Sequence, residues 1–421
     1  MSDAPAGYWK SPWPGEDGGP LRRERPVTGV GPALVPEHVE VVSRDAAGTT
    51  MLVLREPGEA FLLRHTFGPA AISWVERIDP VTLECTARSV DLAGGPTWPG
   101  GLAAHANGSL YVVFGNHAHR LAPDLAVVAT RTLPRPRPYN SFVLVPGGHL
   151  VTKDFGGVLP GQDPAGHPAD PAELLVLEPD GLEIVARGAA PEPSIARLSA
   201  DGNTVYVVGT STLWRAHWDG SRLEFDDTFR ARYRTRPGQT YGWDPVIALG
   251  AAWFLDNGEG SERYAGTFRG QGISTAPLHL VRVDLATAAV TLTEICGLPN
   301  GLVANPPVVD ENRRIVVGYD SANGVLVAFD IADDGALTLR WRREQNHACH
   351  PLLFPDTGEL VTNDHDATRM ADAIVVLDIE SGEERVRVDS GSAVQSVLFP
   401  APGFGRDFYY CSFTTVARVA G

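Results

Sequence analysis

The side chains best suited to acid, base or metal chemistry in this 421-residue chain are His347, His350, His365 and His117. An imidazole that is neutral near pH 7 can ligate a metal, and several converging on one point would suit Zn²⁺, Fe²⁺ or Mn²⁺. Without a metal, one of them beside Asp364 or Asp320 would act as a general base toward water or a carbon acid. A second set offers oxygen: Asn140, Asp244, Asn300 and Asp320 carry the amide and carboxylate groups that a hard cation such as Ca²⁺ or Mg²⁺ requires. Trp98, Tyr139, Trp243 and Tyr319, with His117, would wall a substrate. The competing account of each is structural, since a lone histidine is commonly a hydrogen-bonded core group and Asn300-Gly301 and Asp320 are natural turn and cap residues.

These residues share one kind of position, the end of a short strand. A unit of strand, Gly-bearing turn and apolar second strand recurs at residues 101–117, 141–154, 194–209, 245–257, 301–320, 351–364 and 396–413. Most copies are followed by a third and a fourth strand. Such an array predicts an all-β propeller, because one small sheet cannot bury its faces until neighbours stack on it. The count predicts seven four-stranded blades, with six as the alternative. Residues 1–50, rich in Pro, Gly and charge, read as an arm across the propeller, and residues 51–421 as one propeller domain. The stretch 61–92 lacks its own inner strands, so it is expected to share a blade with the C-terminal strands and close the ring. Residues at strand ends surround the central channel and are free of the alternation that fixes the others. The long connections 156–171 and 257–277 lie on that same face and read as lids or binding loops.

Bulk properties narrow the partners. The formal charge of −16 disfavours nucleic acid and anionic membranes, both of which call for clustered Lys and Arg. No stretch approaches the ~20 apolar residues of a membrane helix, and the N-terminus has no secretory pattern, so a cytoplasmic protein with a small-molecule substrate is expected. The four cysteines have no paired spacing, against a disulfide framework or a structural zinc site. Phosphate-loop, Gly-x-Ser-x-Gly, His-Glu-x-x-His and dinucleotide motifs are absent.

The segment Gly297-Leu-Pro-Asn-Gly-Leu-Val, running on to Val317-Gly-Tyr-Asp-Ser, resembles the gluconolactonase and regucalcin family, relatives of the paraoxonases and strictosidine-synthase-like proteins. The resemblance implies that Asn300 and Asp320 bind a catalytic divalent cation, Ca²⁺ first. Arg137-Pro-Tyr-Asn-Ser matches a further motif of the family and adds Asn140. Gly94-Gly-Pro-Thr-Trp-Pro looks like the family's Gly-Glu-Gly-Pro-x-Trp, with Gly95 where the metal-binding Glu belongs, and Asp244 or Asp256 is a candidate replacement.

The resulting expectation is a metal-dependent hydrolase, a lactonase or esterase. Asn140, Asn300, Asp320 and Asp244 would hold the cation, which would polarise the carbonyl, while His347, His350, His365 or Asp320 would activate water. Two alternatives stand beside it. One is a histidine-centred lyase, isomerase or non-haem oxygenase using Zn²⁺, Fe²⁺ or Mn²⁺, and the other is a propeller that only binds.

Overall fold

A computed structural model describes residues 5–159, 170–258 and 267–421. Among the described residues the strands form eight antiparallel sheets, each built on a four-stranded path and two of them with one further short strand, so the fold is an eight-bladed propeller and the expected seven blades, or six, are corrected to eight. All seven sequence copies are first-and-second-strand pairs, belonging to blades 2 to 8. The additional blade 1 consists of Thr49–Leu54, Ala60–His65, Ala71–Ile78 and Cys85–Arg88. Its inner pair, Thr49–Leu54 and Ala60–His65 joined by a turn at Gly58, has the same strand, Gly-bearing turn and strand pattern but straddles the boundary drawn at residue 50 between arm and propeller. Residues 61–92 therefore belong to a blade with its own inner strand and close nothing.

Closure occurs one blade away. In blade 8 the C-terminal strands Ala401–Pro402, Asp407–Cys411 and Thr415–Ala420 are completed by an outer strand from the N-terminus, Glu40–Asp45, paired from Glu40 opposite Ala420 to Asp45 opposite Thr415. The propeller thus begins inside the segment read as the arm. Joining the two ends of the chain in one sheet leaves no free edge at the seam.

Residue types explain the layering within each blade. Inner strands such as Leu110–Phe114 are β-branched and aromatic and wholly buried, while outer strands such as Val127–Thr132 and Ile184–Ala189 alternate between exposed and partly covered positions. Turns between the third and fourth strands reuse an aspartate. Asp79, Asp284 and Asp378 each accept two backbone N–H bonds from residues two and three further on. Among the described residues no helix is long and apolar enough to cross a membrane.

Blades 1 and 2 meet through tight glycine packing. Gly115 has φ +54°, and a Cβ there would overlap the Gly94 carbonyl and lie 2.7 Å from the Gly95 nitrogen. Gly115→Ala is expected to lower stability by more than about 2 kcal/mol, because both the backbone conformation and the space are denied to a side chain. A denaturant titration of the variant measures this, and an unchanged midpoint would contradict it.

Candidate metal centre in the channel

The arm does not lie across the propeller but enters it. Between residues 12 and 27 the chain forms a closed loop, pinned by Val27 N to Pro12 O (2.9 Å) and Glu24 N to Asp17 O (3.0 Å). Carbonyls along the arm accept N–H groups from innermost strands around the ring: Trp13 O from Leu54, Pro14 O from Ala104, Pro20 O from Ala200, Leu21 O from Ile247 and Glu24 O from Leu353. The arm therefore occupies the channel that the first strands enclose. Three of its non-glycine residues, Asp17, Arg22 and Glu24, have φ between 51° and 53°. Left-handed backbone at non-glycine positions is uncommon and is tolerated where surrounding contacts enforce it.

That backbone gathers a group of buried charges. Arg22 is fully covered and donates to Leu198 O (2.8 Å), Glu16 O (2.9 Å), Ser141 Oγ (3.0 Å) and Phe142 O (3.0 Å), with Glu16 Oε2 at 3.4 Å. Arg197, from the loop that leads into blade 4, approaches Glu16 Oε1 at 3.1 Å and Asp244 Oδ2 at 3.8 Å and donates to Asn140 O and Pro99 O. Its guanidinium also lies over the Phe399 ring, 4.8 Å from the centroid, and His350 packs on that ring's surface.

Beside these pairs sits a set that includes no Lys or Arg. His350 Nδ1 lies 3.1 Å from Asp17 Oδ1 and 3.4 Å from Glu24 Oε1, and the three groups offer ligand atoms within 4.8 Å of one another. Asp17 and His350 are 2% exposed and Glu24 not at all. Both Glu24 oxygens and Asp17 Oδ2 lack a hydrogen-bond partner among the described residues. A buried unsatisfied charge is costly, so such a group signals a missing partner.

The electrostatics agree. Burial pushes the Glu24 carboxyl well above the usual carboxylate range, and the Asp17 and Asp244 charges push it the same way. Glu16 and Asp244 are also raised by burial, against the opposing pull of Arg197. Burial works to raise Asp17 as well, but His350, Arg22 and Arg197 together hold it below its ordinary value. Next to this cluster, Tyr319 is fully buried and its hydroxyl has no partner among the described residues. His347 meets its ring edge-on, with centroids 4.3 Å apart. His347 Nδ1 accepts Asn363 N (3.2 Å), which places the proton on Nε2, and burial holds the imidazole neutral with a pKa of about 3.

The remaining residues singled out from the sequence are placed differently. Asn140 is buried, but its amide donates to Ile195 O (3.0 Å) and its oxygen faces the Lys153 ammonium at 3.4 Å. That ammonium also reaches Ser194 O and Asp154 O, so a lysine already stands where a cation on Asn140 would be; burial lowers its pKa to about 8. Asn300 is exposed, with φ +62°. Asp320 is raised by burial and caps its own loop through Leu302 N, Asn323 N and Asn323 Nδ2. These three side chains do not fit a shared calcium site. At Gly95 a Cβ would come 2.5 Å from Asn116 Oδ1, so the absent Glu has no room there without rearrangement.

Asp244 does border the cluster, accepting Arg197 N at 2.6 Å. Asp256, the alternative replacement, is paired with His279 Nδ1 (2.7 Å) and Gln239. His117 bonds Gly94 O, Tyr139 is fully buried against Arg135 N and Glu173, Trp98 stacks on Phe155, and Trp243 donates to Val303 O. Of the long connections, residues 160–169 and 259–266 lie outside the described residues. Residues 267–276 are described, and within them Phe268 N bonds Gln395, Gly270 N bonds Ala322 O and Arg269 bonds Asn346.

His365 belongs to the seam between blades 7 and 8. Its Nδ1 is 3.7 Å from Asp372 Oδ1, and Asp372 also takes bonds from Tyr410 Oη (2.6 Å), Ser396 N (3.0 Å) and Asn363 Nδ2 (3.0 Å). Burial outweighs these bonds and raises the Asp372 carboxyl to about 7. Between the ordinary aspartate value of ~3.9 and about 7 the folded state holds a proton that the unfolded chain releases, so this group's stabilisation is full in acid and declines as pH rises. Asp372→Asn removes the ionisation. Between pH 5 and 8 the wild type is expected to lose stability relative to the variant by on the order of a few kcal/mol, and parallel pH profiles of their thermal midpoints would contradict this.

Comparison with known proteins finds likeness in fold only. No known protein family and no curated protein matches the chain. Among solved structures it is similar to BamB from Moraxella catarrhalis, with 11% identity, a TM-score of 0.58, and coverage of 91% of this chain and 98% of that one. It is also similar to the Dos1 propeller, at 9% identity, a TM-score of 0.57, and coverage of 90% and 94%. Identities this low establish the propeller and nothing about activity.

Proposed function

We propose that this propeller binds one divalent metal ion at the centre of its channel, through Asp17, Glu24 and His350. The observation that carries the reading is Glu24, a fully buried carboxylate with neither oxygen hydrogen-bonded among the described residues, 3.4 Å from an imidazole nitrogen. A proton on His350 would satisfy one direction only. A cation satisfies all three groups at once: with ligand bonds of about 2.1 Å, ligands at right to tetrahedral angles are about 3.0–3.4 Å apart, which fits the 3.1 and 3.4 Å from His350 Nδ1 to Asp17 Oδ1 and Glu24 Oε1, and all three ligand atoms lie within 4.8 Å of one another. One nitrogen and two or more oxygens suit Zn²⁺, Mn²⁺ or Fe²⁺ better than Ca²⁺, which takes oxygen alone.

Arg197 and Phe399 close the centre, and no ligand group is more than 2% exposed. Three protein ligands leave one coordination position unfilled, as catalytic sites do, but burial denies that position to a substrate here. The reading is therefore a metal-holding binding propeller. Lactonase or esterase turnover rests on the family resemblance alone. Elemental analysis of the purified chain, with a lactone and ester panel assayed before and after chelation, tests both parts. Near one equivalent of metal and no chelator-sensitive hydrolysis is expected. Metal-free protein that regains none on dialysis would overturn the binding reading, and chelator-sensitive turnover would restore the hydrolase.

A further inference from the structure

We infer that the metal is the clasp of the N-terminal plug: occupancy of the Asp17, Glu24 and His350 centre decides whether the arm stays in the channel. The inference rests on the metal reading above and adds regulation to it. Two of the three ligands, Asp17 and Glu24, belong to the arm, and only His350 belongs to the blades. The centre therefore exists only while the arm is docked, and any cation affinity it has must by linkage stabilise docking.

The arm has specific reason to depend on that stabilisation. Glu16, Asp17, Glu24 and Asp244 bring four carboxylates into the channel against the two guanidiniums of Arg22 and Arg197. Those guanidiniums are already engaged by Glu16 and Asp244 and by backbone carbonyls. Lys153, the next cation outward, is turned toward carbonyl oxygens of its own surroundings. A divalent ion supplies the charge that the carboxylates lack. Without it, Asp17 and Glu24 face each other across a loop held in left-handed backbone at three non-glycine residues. The arm's backbone makes one bond each to the inner strands of blades 1, 4, 5 and 7 and a short antiparallel run beside the first strand of blade 2, through Trp9 N to Ala104 O, Ala104 N to Pro14 O and Ala106 N to Gly7 O, so releasing it breaks none of the eight sheets.

Glu40–Asp45 stays fixed in blade 8, and Gly31, Ala33 and Leu34 remain tied to Asp356 and Glu359. The released segment is thus confined to the residues before about 30. The ring itself is predicted to persist, with its channel open.

The test uses the full chain, stripped with chelator and then given Zn²⁺ or Mn²⁺, with metal stoichiometry, hydrogen exchange and trypsin sensitivity measured together. Addition of metal should slow exchange across residues 7–27 by at least about 10-fold and protect the bonds after Lys10, Arg22 and Arg23, with the blades unchanged. One bound equivalent with no change in the arm would overturn the clasp and leave the metal reading standing. No bound metal would remove both. His350→Ala keeps every arm residue and should show an arm as exposed as in stripped protein, with or without metal. Should its blades lose protection, Glu24→Gln replaces it: relieved of one buried charge, its arm should be no more exposed than in stripped wild type and should not respond to metal, and metal-induced protection of the arm in either variant would also overturn the inference.

Discussion

Glu24→Gln is expected to weaken binding of Zn²⁺ or Mn²⁺ by at least about 100-fold, since even outer-shell partners of a metal ligand are worth 10- to 100-fold and Glu24 is placed in direct reach. The substitution keeps size and removes charge. In the protein without metal it should be neutral or stabilising, because the carboxylate it replaces is fully buried, near Asp17 and Asp244, and without a hydrogen-bond partner among the described residues. The two effects have opposite sign, which separates a metal ligand from a merely structural glutamate. Calorimetric titration with metal, beside thermal unfolding of chelated protein, measures both. Equal affinity in wild type and variant would contradict the assignment.

Arg22→Ala is expected to be the most destabilising single change in the arm. The side chain makes four hydrogen bonds and approaches Glu16, joining the arm to the loop before blade 4 and to the first strand of blade 3. Removing one member of a buried pair leaves the other charge uncompensated, at a cost of about 3–5 kcal/mol. Here Arg197 remains within 3.1 Å of Glu16 and moderates the loss, while Leu198 O and Phe142 O lose a donor. Glu16→Gln with Arg22→Met, which removes both charges and keeps the volume, should recover much of the stability. Thermal unfolding of the single and double variants decides this; a single variant as stable as wild type would show that the arm is not held by Arg22.

The propeller was legible because its repeat is local. Each strand, turn and strand carries its own apolar pattern and its own Gly or Asp, as in Leu110–Phe114 after Asn107-Gly108, where Asn107 Oδ1 takes Ser109 N and Gly108 adopts φ +86°. Blade 1 was lost because its first strand, Thr49–Leu54, runs directly on from a segment rich in Pro, Gly and charge, so the boundary at residue 50 cut through its strand, Gly58 turn and strand. His350 and Asp244 were legible as channel residues because both directly precede a first strand. Asp17 and Glu24 were not, since nothing local distinguishes a buried charge from a solvated one in a segment of Pro, Gly, Arg and Glu. Their burial depends on contacts across the whole ring, from Leu54 to Leu353. The motif residues Asn140, Asn300 and Asp320 show the converse: spacing suggested ligands, but Lys153, exposed turn geometry and Asn323 account for them. Gly95 carried real information, since its φ of +127° and its contact with Asn116 require glycine.

The central claim is the position of one cation, and anomalous diffraction locates it directly. Crystals of the full chain grown with Zn²⁺ or Mn²⁺, measured on either side of the metal's absorption edge, should show a single strong peak between Asp17, Glu24 and His350, about 2.0–2.3 Å from a ligand atom of each. A crystal with no peak in the channel, or with its peak at Asn140, Asn300 and Asp320, would contradict the account.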